Sequence, residues 1–397
     1  MAAGGLRHRV LVADRPQKSK CGYMAIALFR RKLEGLLQGA DILIDGDRPW
    51  DIHVQNPKLY ARIWEHGTLG AGEAYMEGWW DCDQLDEMIA RTLRAGMQKQ
   101  LKPVFSLPTL VRARVGNLQR GRRAFEVGHK HYDLGNALYR RMLDQRMIYS
   151  CGYWKNADDL DKAQEAKLDL IARKLQLEPG MRVLDIGCGW GGALAYLSER
   201  YKIEGVGITV SKEQARLARE VCSGLPLDIR LQDYRQLDER FHRIFSVGMF
   251  EHVGVKNYRH YFEVVRRCLI SDGLFVLHTI GGNESVVTID PWIAKYIFPN
   301  SMLPSASQIA EAAEEVLVME DWHSFGADYD RTLMAWYHNF TSAWDEIKDG
   351  YDERFRRMWS YYLLSSAGAF RARDNQLWQI VYSRDGLPEG YRAEAIR

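Results

Sequence analysis

The chain has 397 residues, 46% hydrophobic and 27% charged, globular proportions that exclude wholesale disorder and allow a full core without disulfide or metal staples. Its formal net charge is +2, so no global field draws in nucleic acid. No apolar run approaches the roughly 18 residues of a membrane-spanning helix, and the start of the chain lacks an apolar segment of secretory length, so a cytoplasmic protein is expected.

Residues 1–20 are basic and rich in small residues and read as a disordered leader. Residues 21–98 read as a small α+β domain. Within it, 24–38 has helical periodicity, 42–54 suggests two short strands around a turn at Gly46, Asp47 and Pro49, and 58–65 and 84–94 suggest helices. Residues 99–125 form a basic linker, with seven basic and no acidic residues between Lys99 and Arg123 and interruptions at Pro103 and Pro108. It is either a solvated connection or a patch for anionic lipid headgroups, where each Lys or Arg contributes about 1 kcal/mol.

Residues 126–397 read as one catalytic domain. From Asp158 onward, helix and strand alternate. A helix over 163–175 precedes a strand over 181–187, followed by a helix at 191–201, a strand at 203–211, a helix at 212–222 and strands at 227–233 and 243–250. A helix at 261–269 and a strand at 273–282 follow. A helical insertion is expected over 284–315, then strands over 316–326 and 377–384 with helices over 330–366 between them. This alternation predicts an α/β fold, a doubly wound Rossmann-like parallel sheet covered on both faces. The six cysteines (21, 82, 151, 188, 222 and 268) form no C-x-x-C pair and resemble no zinc site.

The sharpest local signal is VLDIGCGWGG, 183–192, where Gly187, Gly189 and Gly191 follow an apolar strand and open a helix. Glycines there let the backbone turn tightly and approach a ligand. The next strand ends Gly207-Ile208-Thr209-Val210-Ser211, without the acid that binds the ribose of a nicotinamide cofactor. Asp185, two residues before the first glycine, suits a cationic ligand better than a pyrophosphate. These features favour S-adenosylmethionine. Gly187, Thr209, Asp233, Glu251 and His278 fall at successive strand ends, where open α/β sheets bind ligands.

HYDLGN (131–136), MIYSCGYW (147–154), GMFEHVG (248–254), LHTIGG (277–282), DPWIAKYIFPN (290–300) and FGADYDRTLMAW (325–336), with the glycine loop, resemble the cyclopropane-fatty-acyl-phospholipid synthase family. GTLGAGEAYMEGWWDCDQLD (67–86) resembles the N-terminal domain of the bacterial phospholipid enzymes, which the related mycolate cyclopropanases lack. The resemblance implies methyl transfer from S-adenosylmethionine to a cis double bond in a membrane phospholipid acyl chain. A carbocation then loses a proton to bound bicarbonate and closes a cyclopropane ring. By match, Cys151, Glu251, His278, Ile280 and Tyr329 cradle the bicarbonate. Tyr149, Ser150, Gly187, Gly189, Thr209, Gln214, Gln232 and Asp233 contact the methyl donor. Thr209 and Gln214 replace the ribose-binding acid, and Asp233 accepts from the adenine amino group. The resemblance also implies a homodimer at the inner membrane face. Ser366 stands where the family often has a cysteine, so no covalent route through that position is required.

An alkene is a weak nucleophile, so the site needs alignment, exclusion of water and support for a transient cation. Aromatic faces supply such support at about 0.5–2 kcal/mol each, and Tyr149, Tyr153, Trp154, Phe250 and Tyr329 are the candidates. Competing readings are methylation of another acceptor, such as an amine alkaloid or a lipid alkene without ring closure, and a lipid-binding scaffold.

Overall fold

A computed structural model describes residues 17–97 and 135–396. Most of the expected leader, all of the basic linker and the first four residues of HYDLGN lie outside the described residues. Helix α1 (Gln17–Gln38) begins inside the span read as a leader and buries Leu33 and Leu37. β1 (His53–Val54) pairs antiparallel, not with the segment just before it, but with β2 (Trp80–Asp81); the strand expected at 42–45 contributes a single bridge, Ile44 to Ile52. Between them α2 (Leu59–Met76) runs on through the stretch expected to be a connection. It does so by a kink at Gly67, whose φ of 57° and ψ of −134° suit a residue without a Cβ. α3 (Leu85–Arg94) opens with Asp86 and Glu87 and ends with Arg91 and Arg94, charges matched to the helix dipole.

The rest of the chain follows the predicted alternation. α4 (Asn136–Met142) and α5 (Leu160–Lys174) precede β3 (Arg182–Ile186). α6 (Gly192–Tyr201), β4 (Glu204–Thr209), α7 (Lys212–Val221), β5 (Leu227–Leu231) and β6 (Phe241–Val247) come next. α8 (Tyr258–Cys268) leads into β7 (Leu269–Gly282). The insertion holds two short helices, α9 (Pro291–Tyr296) and α10 (Ala306–Ala313), the latter started by a Ser305/Gln308 capping box. β8 (Val318–Ser324), α11 (Ala327–Ser342), α12 (Trp344–Ile347), α13 (Glu353–Arg371) and β9 (Asn375–Ser383) complete the order.

The seven-stranded sheet has the order β5-β4-β3-β6-β7-β9-β8. Strands β3 to β7 are parallel, and β9 lies antiparallel between β7 and β8. Period-two alternation divides the buried strand residues between two cores. Leu184, Ile244, Phe275 and Leu277 face α8 and α10, while Val183, Phe245 and Val276 face α5 and α6. The expected parallel sheet covered on both faces is observed. β7 starts four residues before the expected strand and ends with it at Gly282, so His278, read as a strand-end residue, lies inside the strand. That residue pairs with Val247, the last of β6, and β7 continues four residues further along β9.

A third hydrophobic cluster spans the N-terminal unit and the helices of the larger part, from Leu33 and Trp80 to Trp359 and Phe370. α2 and α3 both pack on α13. Polar contacts tie the same seam. Arg357 reaches the Trp80 carbonyl and Asp81, and Arg371 pairs with Asp86 and Asp330. The small α+β domain expected over 21–98 is thus a unit along the chain, not a separate core.

Gly368 marks the tightest point of the α3–α13 crossing: a Cβ there would lie 2.5 Å from the Asp86 carbonyl and 2.8 Å from Ile89 Cβ. Gly368→Val is expected to lower unfolding free energy by about 2–3 kcal/mol, as overpacking does. Gly35, exposed in α1 with nothing near its Cβ position, should instead gain up to about 1 kcal/mol as alanine. Urea unfolding of both variants checks the opposite signs.

Candidate active site

The glycine loop joins β3 to α6 at the carboxyl edge of the sheet. Gly187, Gly189 and Gly191 take φ values of 94°, 55° and 85°, left-handed conformations that favour glycine. At Gly187 and Gly191 a Cβ would strike Met249 and Cys222, whereas at Gly189 it would enter open space. That space is a cavity of about 200 Å³. All eight residues expected to contact the methyl donor line it: Tyr149, Ser150, Gly187, Gly189, Thr209, Gln214, Gln232 and Asp233. The Thr209 hydroxyl donates to Gln214 Oε1 at 2.9 Å. The Asp233 carboxylate accepts from Arg235 Nε and the Arg235 backbone, so the adenine partner named from the sequence is itself held in place.

The five residues expected to cradle bicarbonate do not line this cavity. Ser150 and His252 belong to the wall and adjoin Cys151 and Glu251 in the chain. The turn Phe250–His252 is a 3₁₀ helix, with about three residues per turn, so its side chains diverge. His252 lines the cavity. Glu251 Oε1 accepts from the Ile280 amide at 2.7 Å. Phe250 packs against Tyr258, Tyr261 and Phe262 in the core beneath the sheet. The structure therefore removes Phe250 from the aromatic groups expected to face a cation. The Ile280 amide, expected among the donors to bicarbonate, is already committed to Glu251.

His278 is 1% exposed, with Gln379 Nε2 3.1 Å from its Nδ1. The ring's tautomer sets the direction of that bond; where Nδ1 accepts from Gln379, Nε2 carries the proton. Burial among the ammonium groups of Lys167 and Lys174 drives its pKa well below the ordinary range, keeping the ring neutral. Burial pushes Glu251 up to about 7, opposed by the Ile280 amide. Among the described residues Glu251 Oε2 and His278 Nε2 are both buried without a hydrogen-bond partner, with the Thr279 side chain also helping to hold the Glu251 pKa down. Native interiors rarely leave such atoms unsatisfied, and a small polar guest is one explanation.

Cys151 and Tyr329 reach the site through α11. Thr332, one turn after Tyr329, accepts from the Gly152 amide and Trp154 Nε1, and its hydroxyl lies 3.8 Å from Cys151 Sγ. Burial raises the thiols of Cys151 and Cys188 well above their usual pKa, so neither is a ready thiolate nucleophile. Tyr329 packs between Phe370 and Trp336, and Trp336 tilts against Tyr149 at 5.0 Å. The Tyr149 hydroxyl meets that of Tyr362 at 2.7 Å. Tyr139 and Trp190 continue the aromatic wall. Ser366 is half-buried in α13.

Sequence reasoning missed Trp336, Tyr362, Gln379, His252 as a wall residue, and Lys167. Lys167 is a fully buried lysine of α5 that lines the cavity. A signal for it existed: Ala163, Lys167, Leu170, Ile171 and Lys174 share one helical stripe, which the apolar members mark as inward.

Residues 119–380 match the family described as mycolic acid cyclopropane synthetase. The cyclopropane-fatty-acyl-phospholipid synthase of Escherichia coli (strain K12) is 57% identical over 358 residues, 90% of this chain and 94% of that protein. The cyclopropane synthase MmaA2 from Mycobacterium tuberculosis is 30% identical with a TM-score of 0.62, covering 66% of this chain and 98% of that one. The mycolic acid cyclopropane synthase CmaA1, solved in complex with SAH and CTAB, is also 30% identical, with a TM-score of 0.61 and coverage of 66% and 98%.

The raised Glu251 pKa has a stability consequence whose sign is fixed. A folded-state value near 7 against an ordinary 4.5 means that protonated Glu251 stabilises the fold below about pH 4.5, and that this contribution is lost as pH rises through 7. Glu251→Gln cannot ionise. Its unfolding free energy relative to the parent should therefore rise by about 2–3 kcal/mol between pH 5 and pH 8. Urea titrations at the two pH values measure it; an unchanged difference would show that the Glu251 carboxylate is not desolvated.

Proposed function

The chain belongs to the mycolic acid cyclopropane synthetase family and is an S-adenosylmethionine-dependent methyltransferase, and from that premise we propose that it cyclopropanates the cis double bond of an unsaturated phospholipid acyl chain. The observation that carries this reading is the pair of buried atoms orphaned among the described residues, Glu251 Oε2 and His278 Nε2.

S-adenosylmethionine supplies an electrophilic methyl group on a sulfonium. The cavity fits it: the glycine loop leaves open space at Gly189, and the Asp233 carboxylate, an acceptor suited to an exocyclic amine, lines the wall together with Asp185, whose carboxyl burial pushes up to about 8. Bicarbonate would supply the proton acceptor that ring closure requires. The orphaned pair suits it, because Glu251 Oε2 accepts a hydroxyl proton and the Nε2–H of neutral His278 donates to an oxyanion. Ile280 serves this cradle indirectly, by fixing Glu251 through its amide. Tyr149, Trp336 and Tyr329 present aromatic faces to developing positive charge. Their packing also keeps water from capturing the cation as an alcohol.

The acyl chain must be drawn from a bilayer to reach such a site. Among the described residues no helix is long and apolar enough to cross a membrane, which is consistent with docking from the surface. The linker between Lys99 and Arg123, with Val104, Phe105, Leu107, Leu110 and Val111 among its basic residues, is the proposed docking element. Homodimer assembly belongs to the same reading and is supported by the resemblance alone.

Lipid mass spectrometry of cells expressing the protein tests the reaction. The expected product gains one CH2 per converted double bond and keeps its count of rings plus double bonds. A gain of CH2 with the olefin retained would mean methylation without ring closure, and unchanged lipids would reject the proposal. Glu251→Gln and Tyr329→Phe should each lose activity by about 100-fold, as on removal of one preorganised polar group, with affinity for S-adenosylmethionine nearly unchanged. For docking, sedimentation with anionic vesicles should weaken with salt, which screens exposed charge beyond about 8–10 Å. It should weaken further in the Arg120→Gln/Arg122→Gln/Arg123→Gln variant. Equal binding at low salt would move docking elsewhere.

A further inference from the structure

Lys167 has no place in the chemistry above, yet it is the least expected residue at the site. Its side chain is fully buried, and it lines the donor cavity from below. A buried ammonium is costly unless it is hydrogen-bonded or paired. Its single hydrogen bond among the described residues is to Ser150 Oγ, at 2.9 Å. No acidic oxygen among the described residues lies within ion-pair distance. The neighbouring carboxylates, Asp144 and Asp185, act on it only through the longer-range field. Burial pulls Lys167 down to about 8, so it remains mainly protonated at neutral pH.

An ammonium can only donate. Ser150 Oγ therefore accepts from Lys167, and its own proton is free for another acceptor. Among the described residues that proton has none. Ser150 is 4% exposed and forms part of the cavity wall, so an acceptor inside the cavity is the remaining partner. The backbone here has little freedom to turn away. Gln164, one turn before Lys167 on α5, donates to the Ser150 carbonyl at 2.7 Å. The Asp144 carboxylate accepts from the Ile148 amide at 2.8 Å. The Ser150 carbonyl is thus held against α5, and the Ser150 hydroxyl, backed by a cation, is a donor left to the cavity.

We propose that Lys167 is a positioning residue that polarises the Ser150 hydroxyl into a donor for the carboxylate of the methionyl end of S-adenosylmethionine. The inference rests on the reading of the cavity as the methyl-donor site. It divides that site by charge: a buried cation relayed through Ser150 holds the anionic end, and the Asp233 carboxylate serves the amino-bearing part.

The test is calorimetric and uses two ligands that differ only in that end. S-adenosylhomocysteine carries the amino-acid group; 5′-methylthioadenosine lacks it. Binding of both by the parent protein verifies the donor site itself, independently of Lys167. Lys167→Met, close in volume, and Ser150→Ala should each weaken S-adenosylhomocysteine by about 10–100-fold, the range for a lost charge-assisted hydrogen bond. Each should leave 5′-methylthioadenosine within about twofold. The double variant should bind S-adenosylhomocysteine no worse than the weaker single variant, since the two side chains act as one relay. Should Lys167→Met fail to fold, the two-ligand comparison on Ser150→Ala still decides. Equal weakening of both ligands would reduce Lys167 to a structural support and overturn the proposal. So would unchanged affinity for both with a shifted bicarbonate requirement, which would assign the relay to the neighbouring cradle.

Discussion

Burial of polar groups without local partners is the constraint on which this structure turns. Among the described residues Glu251 Oε2, His278 Nε2 and His252 Nδ1 are shut away from solvent with no hydrogen bond, and Lys167 holds its charge in the same interior. Each such group opposes folding unless something completes it. They are concentrated where β6 and β7 end their parallel pairing, at Val247 opposite His278. Three elements hold them there. The 3₁₀ turn after β6 presents Glu251 to the Ile280 amide, β9 supplies Gln379 to His278, and α5 supplies Lys167 to Ser150.

The same dryness sets the protonation states. Desolvation raises the carboxyl of Glu251 and depresses the imidazoles of His252 and His278, so both rings are neutral near pH 7. A neutral imidazole donates from one ring nitrogen and accepts at the other without bringing charge of its own. That suits a site expected to hold an anion beside a carboxylate and to tolerate a transient cation. The thiols nearby are raised out of nucleophilic range, which agrees with a mechanism that needs no covalent enzyme intermediate.

The N-terminal unit is bound into this arrangement. α2 carries Glu73, which accepts from the Tyr296 hydroxyl at 2.9 Å and pairs with Lys295 of the insertion. Gly72 stands where any Cβ would strike the Trp292 ring. The insertion that follows the β7 site strand is therefore braced by α2. The shared hydrophobic cluster extends the bracing to α13, whose Phe370 and Tyr362 touch Tyr329 and Tyr149.

What the sequence determined by itself was what depends on local pattern. Apolar periodicity yielded the order of strands and helices from Asp158 onward. The spaced glycines, which need left-handed backbone, located the donor loop, and of the polar residues at strand ends Thr209 and Asp233 fall on the cavity around it, while Glu251 and His278 do not. The resemblance then singled out eight residues that line this cavity and five that do not. Tertiary structure alone decided what depends on partners distant in the chain. It extended α2 across a glycine-rich stretch because packing on α13 outweighs low helix propensity. It paired β1 with β2 instead of with the nearer segment, and merged the N-terminal unit into a common core. It sent Phe250 beneath the sheet, because a 3₁₀ turn splays three successive side chains that the sequence lists side by side. And it placed Lys167 under Ser150, a contact across 17 residues that no local pattern encodes, since lysine on a helix reads as solvated until the fold shows which face is covered.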